Sequence, residues 1–330
     1  MANLYTRIRR RLDMTGKDLA SDLKFSPGLA LARMSANLCA RAGLRSVAAS
    51  AGQKKDAFIR RYLEEVLEPV LQQYSDDNMT GTYEPNAPIW VCWWTGEETA
   101  PPLVRQCIRS IREHAGDHPV HFIDRDNYHT YLEIPAHILS KVEDKTMCIA
   151  NFSDYLRFSL LAAYGGLWMD ATLFCSSGIP DDYFRRPLFT CKGTNGDPNG
   201  YLSRYRWTSF CFGGRKGNVM FRYMQKAFDT YWSLCDTAID YLLVDYLIDM
   251  GYRKLSVIRS MLDEVPENNL HRDDLQAAMN AALPASEFER VIQPDTVLYK
   301  LSWRECYAEK TADGEDSIFK AFVRGDLFGN

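Results

Sequence analysis

The segment from Asn151 to Phe174 constrains the fold of this chain more than any other. It reads NFSDYLRFSLLAAYGGLWMDATLF. Apolar residues at helical spacing predict a helix, Gly165 and Gly166 end it, and the apolar run that follows predicts a short buried strand ending at Asp170. Because open α/β sheets bind ligands at the carboxyl ends of their strands, we expect Asp170 to lie in a binding site.

Two further charged residues precede that strand on the predicted helix. Asp154 and Arg157 are three residues apart, so they share one helix face. Taken alone, these residues have an ordinary structural interpretation. Ser153 or Asp154 caps the helix, and Arg157 forms a surface ion pair with the acid. Beside Asp170, however, the same pair supplies a carboxylate for hydroxyl groups and a planar cation for phosphate oxygens.

The preceding part of the chain predicts a parallel sheet. The apolar run IWVCWW from Ile89 is typical of a strand covered on both faces, and a helix beginning near Pro102 follows it. HPVHFID then supplies a second strand that ends at Asp124. This strand–helix–strand order predicts an α/β fold with a mixed, mainly parallel, Rossmann-related sheet.

A family resemblance rests on these residues. S-D-Y-L-R followed by Y-G-G-L-W-M-D-A-T resembles the signature of DXD-containing sugar transferases, a group that includes glycosyltransferase family thirty-two and the clostridial glucosylating toxins. The pattern is more similar to the G-G-x-W-x-D-A-T of bacterial capsular polysaccharide synthesis proteins. The segments IWVCWWTGEETAPPLVRQCIRSI, YWSLCDTAIDYLLVDYLI and YKLSW agree with it, over about residues 85–305.

The resemblance implies a function and a domain organisation. It implies a glycosyltransferase that moves a sugar, with retention of configuration, from a nucleotide-sugar donor (a UDP-sugar) to a capsular or other surface polysaccharide precursor, free or lipid-linked. We expect a helical, basic extension over residues 1–84 and a GT-A-like transferase domain over residues 85–305. Residues 306–330 are expected to pack on that domain, and the loop 181–210 to contribute to acceptor choice.

The metal site is expected at the end of the third strand. In the related transferases a second Asp follows the first by two residues, but this chain has Thr172 there. Asp170 and Thr172 are therefore the expected ligands of Mn²⁺ or Mg²⁺, which prefer oxygen. Two alternatives remain open: Asp170 caps a turn, or the D-R-D of residues 124–126 binds the metal instead.

The resemblance also assigns catalytic and donor-binding residues. Asp170, Asp154 and Arg157 are the expected catalytic group, with Asp154 and Arg157 holding the donor sugar. Trp93 or Trp94 is expected to stack on the base, although both also suit a protein core. The complete set of expected donor-binding residues is Trp93, Trp94, Thr95, Asp124, Asp154, Arg157, Gly166, Ser302 and Trp303.

Composition limits the location and the partners. Residues 1–55 hold eleven Lys and Arg against three Asp, a net charge of +8 in a chain of −4 overall, so the body is too acidic for a general nucleic-acid binder. Nine cysteines without a C-x-x-C pair favour a reducing compartment, so we expect a cytoplasmic protein. Leu4, Ile8 and Leu12 beside arginines suggest peripheral contact with the inner membrane face or with other capsule-assembly proteins.

Two other functional classes remain open from the sequence. A glycan-binding or assembly protein on a degenerate transferase scaffold would keep the aromatic residues and lose the donor site, and Thr172 favours this alternative. A glycoside hydrolase would place two carboxylates, such as Asp154 and Asp170, on either side of a sugar. That reading leaves Arg157 and the Gly-Gly pair without a role.

Overall fold

The structure, a computed structural model, describes residues 19–193, 202–282 and 290–326. The amphipathic pattern through Leu12 and the middle of the predicted 181–210 loop lie outside these residues. The strands are β1 (Ile89–Cys92), β2 (Val120–Ile123), β3 (Gly166–Met169), β4 (Leu173–Cys175), β5 (Leu188–Thr190), β6 (Cys211–Gly214) and β7 (Leu298–Lys300).

The helices surround these strands and extend the chain at both ends. They are α1 (Pro27–Arg41), α2 (Arg45–Val66), α3 (Glu68–Tyr74), α4 (Pro102–Glu113), α5 (Ala136–Glu143), α6 (Ile149–Tyr164), α7 (Asp182–Arg185), α8 (Val219–Leu234), α9 (Leu243–Lys254), α10 (Ser256–Glu264), α11 (Asp274–Ala278) and α12 (Ile318–Arg324).

Five of the described strands form the central sheet, in the order β2-β1-β3-β6-β5. Strand β1 is parallel to both β2 and β3, whereas β6 is antiparallel to β3 and to β5. The predicted mixed, mainly parallel α/β sheet is therefore confirmed, and the fold is Rossmann-like. Strands β1 and β3 end at the same edge, so the residues after Cys92 and after Met169 meet there.

The Gly-Gly pair makes the junction between α6 and β3. Gly165 and Gly166 have φ of 69° and 88°, in the region that disfavours residues with a Cβ. A Cβ on Gly166 would lie 2.0 Å from the carbonyl oxygen of Pro88. The indole N–H of Trp90 donates to the carbonyl oxygen of Gly165 at 3.0 Å, which fixes the turn. The close approach seats β3 directly beside β1.

Two apolar layers cover the sheet. Side chains such as Trp168 and Phe158 belong to one buried cluster with α6, α8 and α9, and Leu167 belongs to the other with α4. This alternation along β3 follows from the period of two in a strand. The last helix, α12, adds Phe322 to the second cluster, where its ring is 5.3 Å from that of Phe174.

The N-terminal helices share the first of these clusters. The helical run breaks at Leu67, between α2 and α3, as Pro69 predicts. Ile59 and Leu63 are fully buried against the body. Arg33 on α1 donates to Asp240, before α9, at 2.9 Å, so an ion pair also joins the hairpin of α1 and α2 to the body.

A second, two-stranded sheet was not expected from the sequence. Strand β4 follows Asp170 almost at once and pairs antiparallel with β7, so that Leu173 lies opposite Lys300. The N–H of Leu301 donates to the carbonyl oxygen of Thr172 at 2.9 Å. This pairing brings the segment after Lys300 against the carboxyl end of β3.

Candidate active site

A cleft of about 660 Å³ opens at the carboxyl ends of β1 and β3. Its walls come from the loop after β1, the first three turns of α6, the residues after β3, the residues around the start of α9 and the segment after β7. The predicted site residues that line it are Trp93, Trp94, Thr95, Asp154, Arg157, Asp170, Thr172, Ser302 and Trp303. The structure thus brings together most of the residues selected from the sequence.

Arg157 lies at the centre of this group. Its guanidinium donates to Asp154 at 2.7 Å and to Asp170 at 3.2 Å, and only 4% of the residue is exposed. It also lies 5.1 Å from the ring of Trp168, in a cation–π arrangement. Helix α6 begins at Ile149, so Asp154 lies inside the helix and cannot be its N-cap. The alternative interpretation, a helix cap with an ordinary surface ion pair, is therefore wrong.

Asp170 receives hydrogen bonds from three cationic or polar groups. Besides Arg157, the indole N–H of Trp168 donates to its carboxylate at 3.1 Å and the ammonium of Lys300 at 2.8 Å. Burial raises the pKa of Asp170, but Lys300 and Arg157 outweigh that effect and hold the pKa below its ordinary value. Asp170 is therefore an anion at neutral pH.

Asp154 has the opposite electrostatic balance. Burial is the main cause that raises the pKa of its carboxyl from 3.8 to about 7, and Arg157 only partly offsets it. The neighbouring charges of Asp170 and Asp245 raise it further. Asp245, on α9, accepts a hydrogen bond from the indole N–H of Trp207 at 2.9 Å, and burial raises its pKa too. Asp154 therefore titrates near physiological pH.

Lys300 is the site residue that the sequence analysis missed. Its ammonium donates to Asp170 at 2.8 Å and to the hydroxyl of Thr172 at 2.7 Å, and it lines the cleft. The motif YKLSW contains it, but the pattern directs attention to Ser302 and Trp303. Only the pairing of β4 with β7 reveals that Lys300 meets the carboxyl end of β3.

The expected metal site does not suit a divalent cation. Asp170 and Thr172 supply one carboxylate and one hydroxyl, and both already bind the ammonium of Lys300. Two unit charges of like sign 4 Å apart repel each other by about 4 kcal/mol near a protein surface. A divalent ion at that distance from the ammonium of Lys300 would be repelled by about twice this energy. Within the described ranges, no cluster of three or more His, Cys, Asp or Glu is placed to hold a metal.

Trp93, Trp94 and Trp303 all line the cleft but differ in how far they are buried. The rings of Trp93 and Trp303 meet edge to face with centroids 5.7 Å apart, and Trp303 is 44% exposed. Trp94 packs edge to face on Phe152 at 4.9 Å. Trp93 and Trp94 are partly buried, so Trp303 has the most accessible ring of the three for a base, although the guanidinium of Arg304 lies 5.4 Å from its centroid.

Three other predicted residues have local partners. The hydroxyl of Thr95 shares a hydrogen bond of 2.6 Å with that of Thr99, and the hydroxyl of Ser302 accepts from the N–H of Arg304 at 3.3 Å. Gly166 is at the amino end of β3, so the structure does not bring it to the cleft. Its role is the junction with β1.

Asp124 also lies outside the cleft lining, although it follows a strand of the central sheet. Its carboxylate accepts the backbone N–H groups of Asp126 at 2.9 Å and of Asn127 at 3.0 Å, which makes it the cap of a turn. Asp126 is exposed and pairs with Arg125. The D-R-D sequence at 124–126 therefore does not form a metal site in this structure.

Comparisons with known proteins identify the family. The family model described as "Capsular polysaccharide synthesis protein" matches residues 44–322, a range that includes the whole cleft. The match begins within the region predicted as an N-terminal extension. No curated protein and no solved structure matches the chain. The chain belongs to the capsular polysaccharide synthesis protein family.

Proposed function

We propose that this protein is a glycosyltransferase that moves a sugar from a nucleotide-sugar donor to a surface polysaccharide precursor. The observation that carries the proposal is the shared guanidinium of Arg157, which holds Asp154 and Asp170 at the edge of the sheet. A nucleotide sugar presents hydroxyls, a diphosphate and an aromatic base. The cleft offers carboxylates, cations and indole rings for these three parts.

The proposed roles follow from the environment of each group. Ionised Asp154 accepts hydrogen bonds from the hydroxyls of the donor sugar, and Arg157 binds the sugar or a phosphate oxygen. The base, uracil in the donor we favour, stacks on Trp303 or Trp93. Asp170 fixes Arg157 and Lys300 beside the diphosphate.

The proposed reaction needs no separate general base. The bond between the anomeric carbon and the diphosphate breaks, and the electron pair stays on the phosphate oxygen. The acceptor hydroxyl forms the new bond to that carbon on the face the diphosphate leaves, and its proton passes to the departing phosphate oxygen. Positive charge beside the developing negative charge lowers the barrier to this step, and retention of configuration follows.

A hydrolase is less compatible with this geometry. Hydrolases place a sugar between two carboxylates about 5 to 9 Å apart. In this cleft the guanidinium of Arg157 lies between Asp154 and Asp170 and binds both. The remaining rival is a glycan-binding protein that keeps the cleft and has lost the donor.

A binding panel tests the proposal. Thermal shifts of the wild type are measured with UDP-, GDP-, CDP- and dTDP-sugars, with and without Mn²⁺, and with short glycans. We expect one class of nucleotide sugar to raise the melting temperature, and Arg157→Met to abolish that rise. Arg222→Met is the matched control, because Arg222 pairs with Asp77 away from the cleft. Stabilisation by glycans alone would contradict the transferase proposal.

We also propose that the hairpin of α1 and α2 contacts the anionic face of the membrane. Leu31, Met34 and Leu38 form an exposed apolar stripe on α1, and Leu44 and Val47 continue it. This stripe belongs to the basic part of the chain, so an anionic lipid surface complements its charge. The helices of the described residues are all too short or too polar to span a bilayer.

Vesicle flotation tests the membrane contact. We expect the protein to float with vesicles containing phosphatidylglycerol and to stay behind with purely neutral vesicles. Leu31→Glu with Leu38→Glu should abolish flotation without lowering the melting temperature, since both residues are exposed. The membrane proposal would be contradicted if the double variant floats like the wild type, or if sedimentation shows that the stripe joins two copies of the chain.

A nucleotide-sugar donor and free thiols at all nine cysteines suit a reaction in the cytoplasm.

A further inference from the structure

The ammonium of Lys300 lies where the resemblance to DXD-containing transferases places a divalent cation. It bridges the carboxylate of Asp170 and the hydroxyl of Thr172, the two expected metal ligands, at 2.8 and 2.7 Å. The second Asp of the DXD pattern is thus replaced by a neutral residue, and a fixed cation is added beside it. Together the two differences make the protein more positive by two charges, which is the charge of the divalent cation that they would replace.

Backbone structure holds Lys300 in this position. It is the last residue of β7, its N–H donates to the carbonyl oxygen of Arg272 at 2.7 Å, and Leu301 bonds to Thr172. The side chain is 24% exposed, so its stem is largely covered while the ammonium lines the cleft. An amine whose own backbone N–H and that of the next residue are both hydrogen-bonded is pre-organised for a ligand.

We infer that Lys300 binds the donor diphosphate in place of a divalent cation, so that donor binding and transfer are independent of metal. The inference rests on the proposed transferase function. An ammonium has three N–H donors, and Asp170 and Thr172 take two of them, which leaves one for a phosphate oxygen. With Arg157 on the other side of Asp170, two cations flank the departing diphosphate.

Calorimetric titration of the wild type tests this without any substitution. The protein is dialysed against EDTA and titrated with the nucleoside diphosphate and its sugar, and the titration is repeated with millimolar Mn²⁺ and Mg²⁺. We expect affinities that agree within about threefold in all three buffers, less than one charge-assisted hydrogen bond is worth. Binding that appears only with metal would overturn the inference and leave the transferase proposal intact. No binding in any buffer would contradict both.

Substitutions separate the charge of Lys300 from its packing. Lys300→Met should weaken diphosphate binding by about ten- to a hundredfold, the value of one charge-assisted hydrogen bond, while Lys300→Arg should recover part of it. Lys320→Met is the matched control, because Lys320 pairs with Asp316 outside the cleft lining. Equal affinity of Lys300→Met and the wild type, with an unchanged circular dichroism spectrum, would refute the role of the ammonium.

A double substitution that exchanges the charges at positions 172 and 300 should make diphosphate binding depend on metal. In the double variant Thr172→Asp with Lys300→Ala, two carboxylates replace a carboxylate and an ammonium. We expect this variant to bind Mn²⁺, as measured by loss of the free-ion electron paramagnetic resonance signal, and to bind the diphosphate only when Mn²⁺ is present. Metal-independent binding by the double variant would show that Lys300 does not replace the cation, and would overturn the inference.

Discussion

Asp154 carries a prediction that links its burial to the pH dependence of stability. Its pKa rises from 3.8 to about 7 on folding, because burial and the charges of Asp170 and Asp245 outweigh Arg157. A carboxyl whose pKa is raised in the folded state stabilises the protein fully below pH 3.8. That contribution is lost as the pH rises through about 7. Asn does not titrate, so the Asp154→Asn variant lacks this pH-dependent contribution to stability.

The size of the effect follows from these two values. Over the interval from pH 5 to pH 8, the wild type should lose about 2 to 3 kcal/mol of unfolding free energy relative to Asp154→Asn, since one pKa unit corresponds to about 1.36 kcal/mol. Urea unfolding of both proteins at pH 5 and pH 8, followed by tryptophan fluorescence, measures it. Titrating groups far from Asp154 cancel in the difference.

The outcome also bears on function. If the difference between the two proteins is the same at pH 5 and pH 8, Asp154 is ionised throughout and the reasoning about its pKa is wrong. If it changes as predicted, donor affinity of the wild type should increase from pH 6 to pH 8, because only the carboxylate accepts two sugar hydroxyls well. Asp154→Asn should show no such increase.

Three substitutions test the remaining contacts. Arg157→Met leaves Asp154 buried without its cation and should cost about 3 to 5 kcal/mol in urea unfolding; a cost no larger than that of Arg222→Met would contradict the pairing. Trp303→Ala should leave the melting temperature unchanged and weaken donor binding by the ~1 to 3 kcal/mol of a base–aromatic stack, and equal affinity would rule out stacking there. Asp170→Asn should abolish release of the nucleoside diphosphate and lower the melting temperature, because three hydrogen-bond donors lose a charged acceptor; normal turnover would remove Asp170 from the reaction.

The local part of the site could be predicted from the sequence. The spacing of Asp154 and Arg157 places them on one face of a helix, and the buried run after Gly166 predicts a strand that ends at Asp170. Both inferences depend on residues within about twenty positions of each other. The parallel arrangement of β1 and β3 then brings Trp93 to the same edge.

The parts that depend on distant pairing could not be predicted. Lys300 reaches Asp170 because β7 pairs with β4 across more than a hundred residues, and neither three-residue strand has a distinctive pattern. Asp245 approaches Asp154 only through the packing of α9 on α6. Conversely, the motif predicts Gly166 in the donor site and the end of a strand predicts Asp124 there, whereas their backbone roles appear only in the fold.

The central claim is that this cleft binds and activates a nucleotide sugar, and the release of nucleoside diphosphate tests it most directly. Purified protein is incubated with each nucleotide sugar in turn, in EDTA and in Mn²⁺, and the free diphosphate is measured over hours. We predict slow hydrolysis of one donor class by the wild type and by Arg222→Met, and none by Asp170→Asn. Absence of hydrolysis with every donor, or equal hydrolysis by Asp170→Asn, would contradict the account.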